Sequence, residues 1–224
     1  MREEHRKISL ILNYMAGKLI IVRHHESDWN KQGLWTGMRD RHLTEYGFAK
    51  SKEMGLLIRG TRIDRAFASM QVRSIETLSS MLEAMEQYHV KAEHSDTLNE
   101  RDYGDYTGMN KWDVEKLIGE EEWEKVRREW DYPVPNGETL KMVYARVVPF
   151  FLEKIVPPVL NGEIVLVAAH GNSIRALMKY IEEIPDENVK NLEMLFGAVV
   201  IYEIDKNGRK VSKEVRQVNS SVNA

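Results

Sequence analysis

Two apolar runs constrain the fold of this chain more than any other feature. They cover residues 18–22 and 163–169, each after one charged residue at its start, and a histidine follows each run within two residues. Continuous apolar runs of this length are typical of strands that are buried on both faces of a parallel sheet. Residues 66–68 and 198–204 are predicted to be further strands.

Longer amphipathic stretches separate these strands. Their apolar residues recur with helical spacing, and Thr44 supplies an N-cap for the first stretch. The predicted helices cover residues 44–58, 71–88, 111–130, 138–160 and 172–181. Strands that alternate with helices predict an α/β fold, a three-layer sandwich with a mostly parallel central sheet flanked by helices. Ligands of such folds bind beyond the carboxyl ends of the strands.

The length and charge of the chain limit its domain organisation and the kinds of partner that it can bind. With 224 residues it is long enough for one compact domain. We expect an N-terminal extension over residues 1–17, a single domain over 18–210 and a polar, mobile tail over 211–224. The net charge of −3 comes from 32 basic and 35 acidic residues. This balance argues against nucleic acid or an acidic membrane surface as a partner, because either would favour a basic surplus.

The chain contains no cysteine. Disulfides, thiolate zinc sites and cysteine nucleophiles are therefore excluded, and a cytoplasmic location is expected. The apolar run at residues 8–12 is too short to cross a membrane, and the residues around it do not form a signal-peptide pattern. No His/carboxylate spacing predicts a metal site.

The two histidine-bearing strand ends are the strongest indication of function. The first reads Arg23-His24-His25-Glu26-Ser27, and the second begins at His170. Both are predicted at the same edge of one sheet. A neutral imidazole beside an arginine suits nucleophilic attack on phosphorus, and nearby cations favour the neutral form. A single such histidine is more often a hydrogen-bonded core residue, but two of them, each at the end of an apolar strand, favour a site.

Four segments carry a resemblance to a known family. LIIVRHHESDWN (residues 19–30) and VAAHGNSIR (167–175) resemble the histidine phosphatase superfamily, whose members form a phosphohistidine intermediate. SMQVRSIET (69–77) and LNERDYGDYTGMNK (98–111) resemble specifically its cofactor-dependent phosphoglycerate mutases. The resemblance covers residues 18–204 and implies the corresponding three-layer fold.

The resemblance implies a role for each matching residue. His24 would be the phosphorylated nucleophile and Glu100 the general acid/base, while Arg23, Arg73 and His170 would clamp the transferred phosphoryl group. The remaining matches would bind substrate: Asn30, Thr36, Gly37, Arg101, Tyr103, Lys111, Arg127, Arg128, Gly171 and Asn172. Within this set, Arg101, Tyr103, Lys111, Arg127 and Arg128 match contacts to the carboxylate and distal phosphate that favour a mutase over a general phosphatase.

Three positions depart from the family pattern. His25 stands where a glycine usually follows the nucleophile, and Leu34 and Glu76 stand where many mutases have arginines. The loop at residues 133–138 is shorter than the corresponding segment in many mutases, and its PNGE sequence resembles the phosphatase branches. Trp112, Trp123 and Trp130 are interpreted as core and lid packing rather than as ligand contacts.

Three functions fit these observations. The leading one is an isomerase of glycolysis and gluconeogenesis that interconverts 3- and 2-phosphoglycerate, with 2,3-bisphosphoglycerate as the priming cofactor and no metal. The second is a phosphatase of small phosphate monoesters that uses the same residues. The third is a non-catalytic module that binds phosphorylated ligands. The expected partner is a small phosphorylated metabolite, and the sequence leaves a homodimer or a homotetramer open.

Overall fold

A computed structural model describes residues 15–219, and a six-stranded sheet forms its centre. The strands are β1 (Met15–Arg23), β2 (Arg65–Ser69), β3 (Ala92–Ser95), β4 (Ile164–Ala169), β5 (Ala198–Asp205) and β6 (Lys210–Gln217). Their spatial order is β3-β2-β4-β1-β5-β6. The pairs β3–β2, β2–β4 and β4–β1 are parallel, whereas β5 is antiparallel to β1 and β6. The mostly parallel sheet of the sequence prediction is confirmed.

Helices cover both faces of the sheet. They are α1 (Asp28–Lys31), α2 (Glu45–Leu57), α3 (Val72–Ala84), α4 (Lys111–Ile118), α5 (Glu120–Arg128), α6 (Leu140–Phe150), α7 (Val156–Leu160) and α8 (Gly171–Ile181). Leu19 and Ile21 of β1 belong to a core shared with α6 and α8, while Ile20 and Val22 belong to a core shared with α2 and α3. Because successive side chains of a strand point to opposite faces, one apolar run supplies both cores. The sheet with helices on both faces confirms the three-layer sandwich that the sequence predicts.

Both predicted ends of the domain need correction. Strand β1 begins at Met15, before the predicted boundary at residue 18, because Met15 and Gly17 already pair with β5. The predicted mobile tail begins at 211, yet Lys210–Gln217 forms β6 against β5. This strand lies at the sheet edge and is mostly exposed, so it needs no apolar run. The rest of the predicted extension and tail, residues 1–14 and 220–224, lies outside the described residues.

Two long predicted helices are interrupted. The helix expected over 111–130 divides into α4 and α5 at Gly119, whose φ of 85° is a backbone conformation that favours glycine. The helix expected over 138–160 contains a π-helical segment, Phe151–Ile155, between α6 and α7, just after Pro149. Proline removes a helical hydrogen bond and disturbs the preceding turn, which accounts for an irregularity there.

A small apolar cluster links α4 and α5 to the loops beside β1. It contains the buried side chains of Trp35, Val114, Val126 and Val134, with Tyr103 packed against them. Trp123 also packs here, as predicted, but Trp112 is 54% exposed and rests against Gly33. This cluster holds α5 beside the carboxyl edge of the sheet.

Candidate active site

Three neighbouring parallel strands deliver polar side chains to one edge of the sheet. Strand β1 ends in Arg23 and is followed by His24, β4 is followed by His170, and β2 ends in Ser69. The Ser69 hydroxyl lies 2.7 Å from Nε2 of His170. The rings of His24 and His170 are 4.9 Å apart between centroids. The two histidines therefore meet at the sheet edge that the sequence indicates.

Hydrogen bonds fix the tautomer of His24. Its Nδ1 lies 2.7 Å from the carbonyl oxygen of His25, and its Nε2 lies 3.3 Å from Nε of Arg73. A guanidinium nitrogen can only donate, so Nε2 of His24 accepts and Nδ1 carries the proton. The lone pair of Nε2 is thus directed to the side from which Arg73 approaches, as a nucleophile facing an anion requires.

The surroundings of His24 also keep it neutral. Burial lowers its pKa well below 6.5, and the charges of Arg73 and Arg23 lower it further. The pKa of His170 is likewise lowered, by burial first and then by Arg73 and His24. A neutral imidazole retains the lone pair that attack on phosphorus needs.

Arg23 and Arg73 both bring positive charge close to His24. Arg73 donates from Nη1 to the Arg39 carbonyl and from Nη2 to the Gly37 carbonyl, at 2.9 and 3.1 Å. Arg23 donates to the Met194 carbonyl at 2.9 Å. Burial lowers the pKa of Arg73 to about 10, so it remains charged at neutral pH. Two fixed guanidinium groups can stabilise charge on the equatorial oxygens of a transferring phosphoryl group.

The Glu100 carboxyl stands beside these arginines with one oxygen engaged. Its Oε1 accepts from the backbone N–H of Arg101 at 2.8 Å, and from the backbone and side-chain N–H groups of Asn172 at 3.1 and 3.2 Å. A side-chain carbon placed on Gly171 would lie 3.5 Å from Oε2 and 3.6 Å from Cζ of Arg23. Gly171 thus keeps open the space between the carboxyl and Arg23.

Two adjoining depressions share one wall. Arg23, Trp35, Glu100, Tyr103 and Lys111 line both of them. The inner pocket adds His24, Asn30, Leu34, Thr36, Gly37 and Arg73. The outer cleft adds Arg127, Arg128, Gly171, Asn172, Arg175, Glu193 and Met194. A ligand with two anionic ends can therefore place one end at His24 and the other among the outer cations, with Glu100 between them.

The outer cleft is rich in cations. Lys111 is largely buried, which lowers its pKa to about 8, with Arg23 and Arg127 contributing to the shift. Arg127 pairs with Glu124 at 2.8 Å, and Arg128 with Glu193 at 3.2 Å. Cations grouped in this way suit carboxylate or phosphate groups.

Arg101 is the expected binding residue that the structure does not place on either wall. Its side chain is fully buried and donates from Nη2 to the Val126 carbonyl at 2.7 Å. Its guanidinium lies over the Tyr103 ring at 4.5 Å. Arg101 thus contacts the end of α5 and the Tyr103 ring. This geometry does not support the direct contact with substrate that the sequence predicts.

His25 turns away from the reacting groups. Its Nδ1 accepts from the backbone N–H of Glu26 at 2.8 Å, and its ring packs against Tyr46 and Phe196. Burial, with Arg23 and Lys50, lowers its pKa to about 4. The imidazole that replaces the usual glycine is thus a neutral packing group. Glu76, at the other departure from the family pattern, binds the backbone N–H of Leu43 at 2.8 Å.

Three polar residues that the sequence did not single out support the site. Gln71 accepts from the backbone N–H of Glu100 at 2.8 Å, and Arg146 donates to the Glu100 carbonyl at 3.1 Å. Arg175 donates to the Arg127 and Arg128 carbonyls at 3.1 and 2.8 Å. Each contact spans distant segments, so local spacing could not reveal them.

Several buried polar atoms around the site have no hydrogen-bond partner among residues 15–219. They include Nε of Arg23 and Oγ1 of Thr36, two residues that line the inner pocket. Buried donors without partners are costly, and a bound phosphoryl group would satisfy them. The residues present therefore fit a phosphorylated ligand. Within the same range, no three His, Asp or Glu side chains are grouped so as to hold a metal ion.

The fold has three layers, and its central sheet carries two buried histidines, two arginines and a carboxyl at one edge. Such a group of side chains is suited to phosphoryl transfer. The family model of the histidine phosphatase superfamily (branch 1) matches residues 19–216. The chain belongs to this superfamily, as the sequence motifs predict.

The curated relatives are more specific. A 2,3-bisphosphoglycerate-dependent phosphoglycerate mutase of Parvibaculum lavamentivorans is 43% identical over 203 residues, which are 90% of this chain and 97% of the relative. The mutase of the same name from Mesorhizobium japonicum is 44% identical, with 90% and 98% covered.

Solved structures share the fold at lower identity. A putative alpha-ribazole-5'-P phosphatase of Escherichia coli is 22% identical, with a TM-score of 0.74 over 92% of this chain and 97% of its own. A mycobacterial glucosyl-3-phosphoglycerate phosphatase is 19% identical, with a TM-score of 0.76 over 92% and 99%. Within residues 15–219, no helix is both long and apolar enough to span a membrane.

Proposed function

We propose that this protein interconverts 3-phosphoglycerate and 2-phosphoglycerate, with 2,3-bisphosphoglycerate as the phosphoryl donor. The observation that carries the proposal is the outer cleft, where Arg127 and Arg128 line the part beyond the wall that Glu100 and Lys111 share with the His24 pocket. A phosphatase of simple monoesters needs only the inner pocket, whereas a mutase must also hold the carboxylate and second oxygen of a glycerate. The names of the curated relatives agree with the mutase interpretation.

The first half-reaction uses the phosphorylated form of His24. When bound, 2,3-bisphosphoglycerate supplies the phosphoryl group that His24 carries. Glu100 then accepts the proton of the free hydroxyl of 3-phosphoglycerate as that oxygen attacks phosphorus. The bond from phosphorus to Nε2 breaks, and His24 leaves as a neutral imidazole. Arg23, Arg73 and His170 stabilise the charge on the equatorial oxygens.

The second half-reaction runs through the same residues in reverse. After the glycerate reorients, Nε2 of His24 attacks the other phosphoryl group, and Glu100 returns its proton to the leaving oxygen. His24 is phosphorylated again and 2-phosphoglycerate departs. The outer cations keep the glycerate bound during reorientation. Because the bound glycerate occupies the site, water is excluded from the inner pocket.

The finer properties of this activity belong to the same proposal. In the inner pocket, the transferred phosphoryl group contacts Asn30, Thr36 and Gly37 as well as the clamping residues Arg23, Arg73 and His170. Because these residues supply the positive charge and the hydrogen-bond donors, the reaction proceeds without a metal ion. We place the reaction in the cytoplasm, in glycolysis and gluconeogenesis. Assembly as a homodimer or homotetramer stays a prediction, which sedimentation velocity can decide.

A coupled assay tests the proposal. We expect the wild type to convert 3-phosphoglycerate in excess chelator, and the rate to rise when 2,3-bisphosphoglycerate is added. Free phosphate, followed in parallel, should appear far more slowly than 2-phosphoglycerate. Brisk hydrolysis of monoesters without any mutase activity would establish the phosphatase alternative instead.

The outer cations provide a sharper test within the same assay. Replacing both Arg127 and Arg128 with alanine should reduce mutase turnover by at least about tenfold, since losing one charge-assisted contact costs about 1.5–3 kcal/mol. Hydrolysis of para-nitrophenyl phosphate, which lacks the carboxylate, should change much less. Lys125→Ala is the matched control, because Lys125 lies on the same helix and pairs with Glu121 at the surface. Equal losses of both activities would contradict the assignment of these arginines.

A further inference from the structure

The carboxyl end of α5 is held by two buried arginines from other parts of the chain. The last carbonyls of a helix have no partner within the helix and carry partial negative charge. Here the Val126 carbonyl accepts from Arg101 at 2.7 Å. The Arg127 and Arg128 carbonyls accept from Arg175 at 3.1 and 2.8 Å. The two residues whose side chains line the outer cleft are thus held through their own backbone.

Arg175 also reaches the acid/base residue through Asn172. Its Nη1 donates to Oδ1 of Asn172 at 3.0 Å. Because Arg175 can only donate, this bond fixes the orientation of the Asn172 amide, and Nδ2 faces the other way. That Nδ2 donates to Oε1 of Glu100 at 3.2 Å and to the Tyr103 hydroxyl at 2.8 Å. A rotated amide would present an oxygen to the carboxylate instead of a donor.

A fourth bond ties the same guanidinium to the segment after α8. Nη2 of Arg175 donates to the Val189 carbonyl at 3.1 Å. Arg175 lies on α8, the helix that begins directly after His170, and is 5% exposed. One planar group therefore joins α5, the segment at Val189 and the amide that orients Glu100.

We infer that Arg175 is a positioning residue for the transfer reaction, which it serves by fixing the outer cations relative to the Glu100 carboxyl. The inference rests on the proposed mutase function. Arg175 contacts the backbone of Arg127 and Arg128. Through these contacts, α8 sets the spacing between the inner pocket and the outer cleft. Loss of this spacing should weaken the hold on a glycerate more than on a simple monoester.

Arg175→Lys is the primary test, because it keeps the charge and much of the buried volume. A single ammonium cannot reproduce the planar set of bonds to four acceptors. We expect KM for 3-phosphoglycerate to rise about tenfold and kcat to fall, while hydrolysis of para-nitrophenyl phosphate, which does not reach the outer cations, falls by a smaller factor than mutase turnover. Arg216→Lys is the matched control, since Arg216 donates to the Leu57 carbonyl at the end of α2, on the β6 side of the sheet.

A double-mutant cycle separates positioning from general stability. Arg128→Ala should raise KM strongly in the wild type and much less in Arg175→Lys, because both changes disable the same contact. Independent residues would instead give KM effects that multiply within about a factor of two. Unchanged KM in Arg175→Lys, multiplicative effects, or parallel loss of both activities together with thermal stability would each overturn the inference. A wild type without mutase activity would refute the proposed function itself.

Discussion

At the scale of single residues, the environment of His24 explains how an imidazole can act as a nucleophile toward an anion. Burial and two guanidinium groups lower its pKa, while the His25 carbonyl holds the proton on Nδ1. In the proposed mechanism, the same arginines that keep the ring neutral bind the phosphoryl oxygens. If the proposal holds, one pair of arginines both keeps the nucleophile neutral and binds the group that it attacks.

Gly171 provides a residue-scale prediction. An alanine there would place its methyl group between Glu100 and Arg23, at 3.5 Å from the carboxyl oxygen and 3.6 Å from the guanidinium carbon. These are ordinary contact distances, and Gly171 begins a helix, so the free energy of unfolding should stay level or rise by up to about 1 kcal/mol. Mutase turnover should nevertheless fall by at least about tenfold, because the added methyl blocks the path of the transferred proton.

Two measurements on Gly171→Ala check this prediction. Urea denaturation should show an unfolding midpoint no lower than that of the wild type, and the coupled assay should show the loss of turnover. A variant that is stable and fully active would mean that the space beside Gly171 is not part of the reaction path.

At the scale of elements, the sequence predicts the buried strands well and the edges poorly. The cores of β1 and β4 are predictable because a strand buried on both faces must be apolar throughout. Strands β3 and β6 lie at the sheet edges and carry polar residues, so no apolar run marks them. The division of the helix at Gly119 depends on a single positive φ, which periodicity alone does not reveal.

The same contrast holds for the site. His24, His170 and Arg23 could be located from the sequence because they follow buried strands. The expected roles of Glu100 and Arg73 came from the family resemblance, and they remain predictions that the geometry supports. Arg175 is missed because its partners are 48 and 47 residues away and are backbone carbonyls, which leave no mark in the local sequence.

At the scale of the whole molecule, buried neutral histidines make stability depend on pH. The pKa values of His24, His25 and His170 are all lowered, chiefly by burial. Below pH 6.5, the ordinary value, the unfolded chain takes up protons that the folded protein does not. The free energy of unfolding therefore falls as pH drops from 7 toward 4.

His25 gives this prediction a measurable size. With a folded pKa of about 4, it should account for about 2 kcal/mol of the stability lost between about pH 7 and pH 5. Asparagine at this position can still accept from the Glu26 backbone but does not titrate. Urea denaturation at both pH values should thus show a smaller loss in His25→Asn than in the wild type. An equal loss in the two proteins would show that His25 is protonated or exposed in the folded state.

The central claim is that His24 carries the phosphoryl group and passes it to a glycerate rather than to water. The most direct test is to label the protein with radioactive 2,3-bisphosphoglycerate, remove excess donor and chase with unlabelled 3-phosphoglycerate. We predict an acid-labile label that maps to His24, is absent in His24→Ala and present in His25→Ala, and moves on chase into phosphoglycerates. Label that persists in His24→Ala, or that leaves the wild type only as inorganic phosphate, would contradict the account.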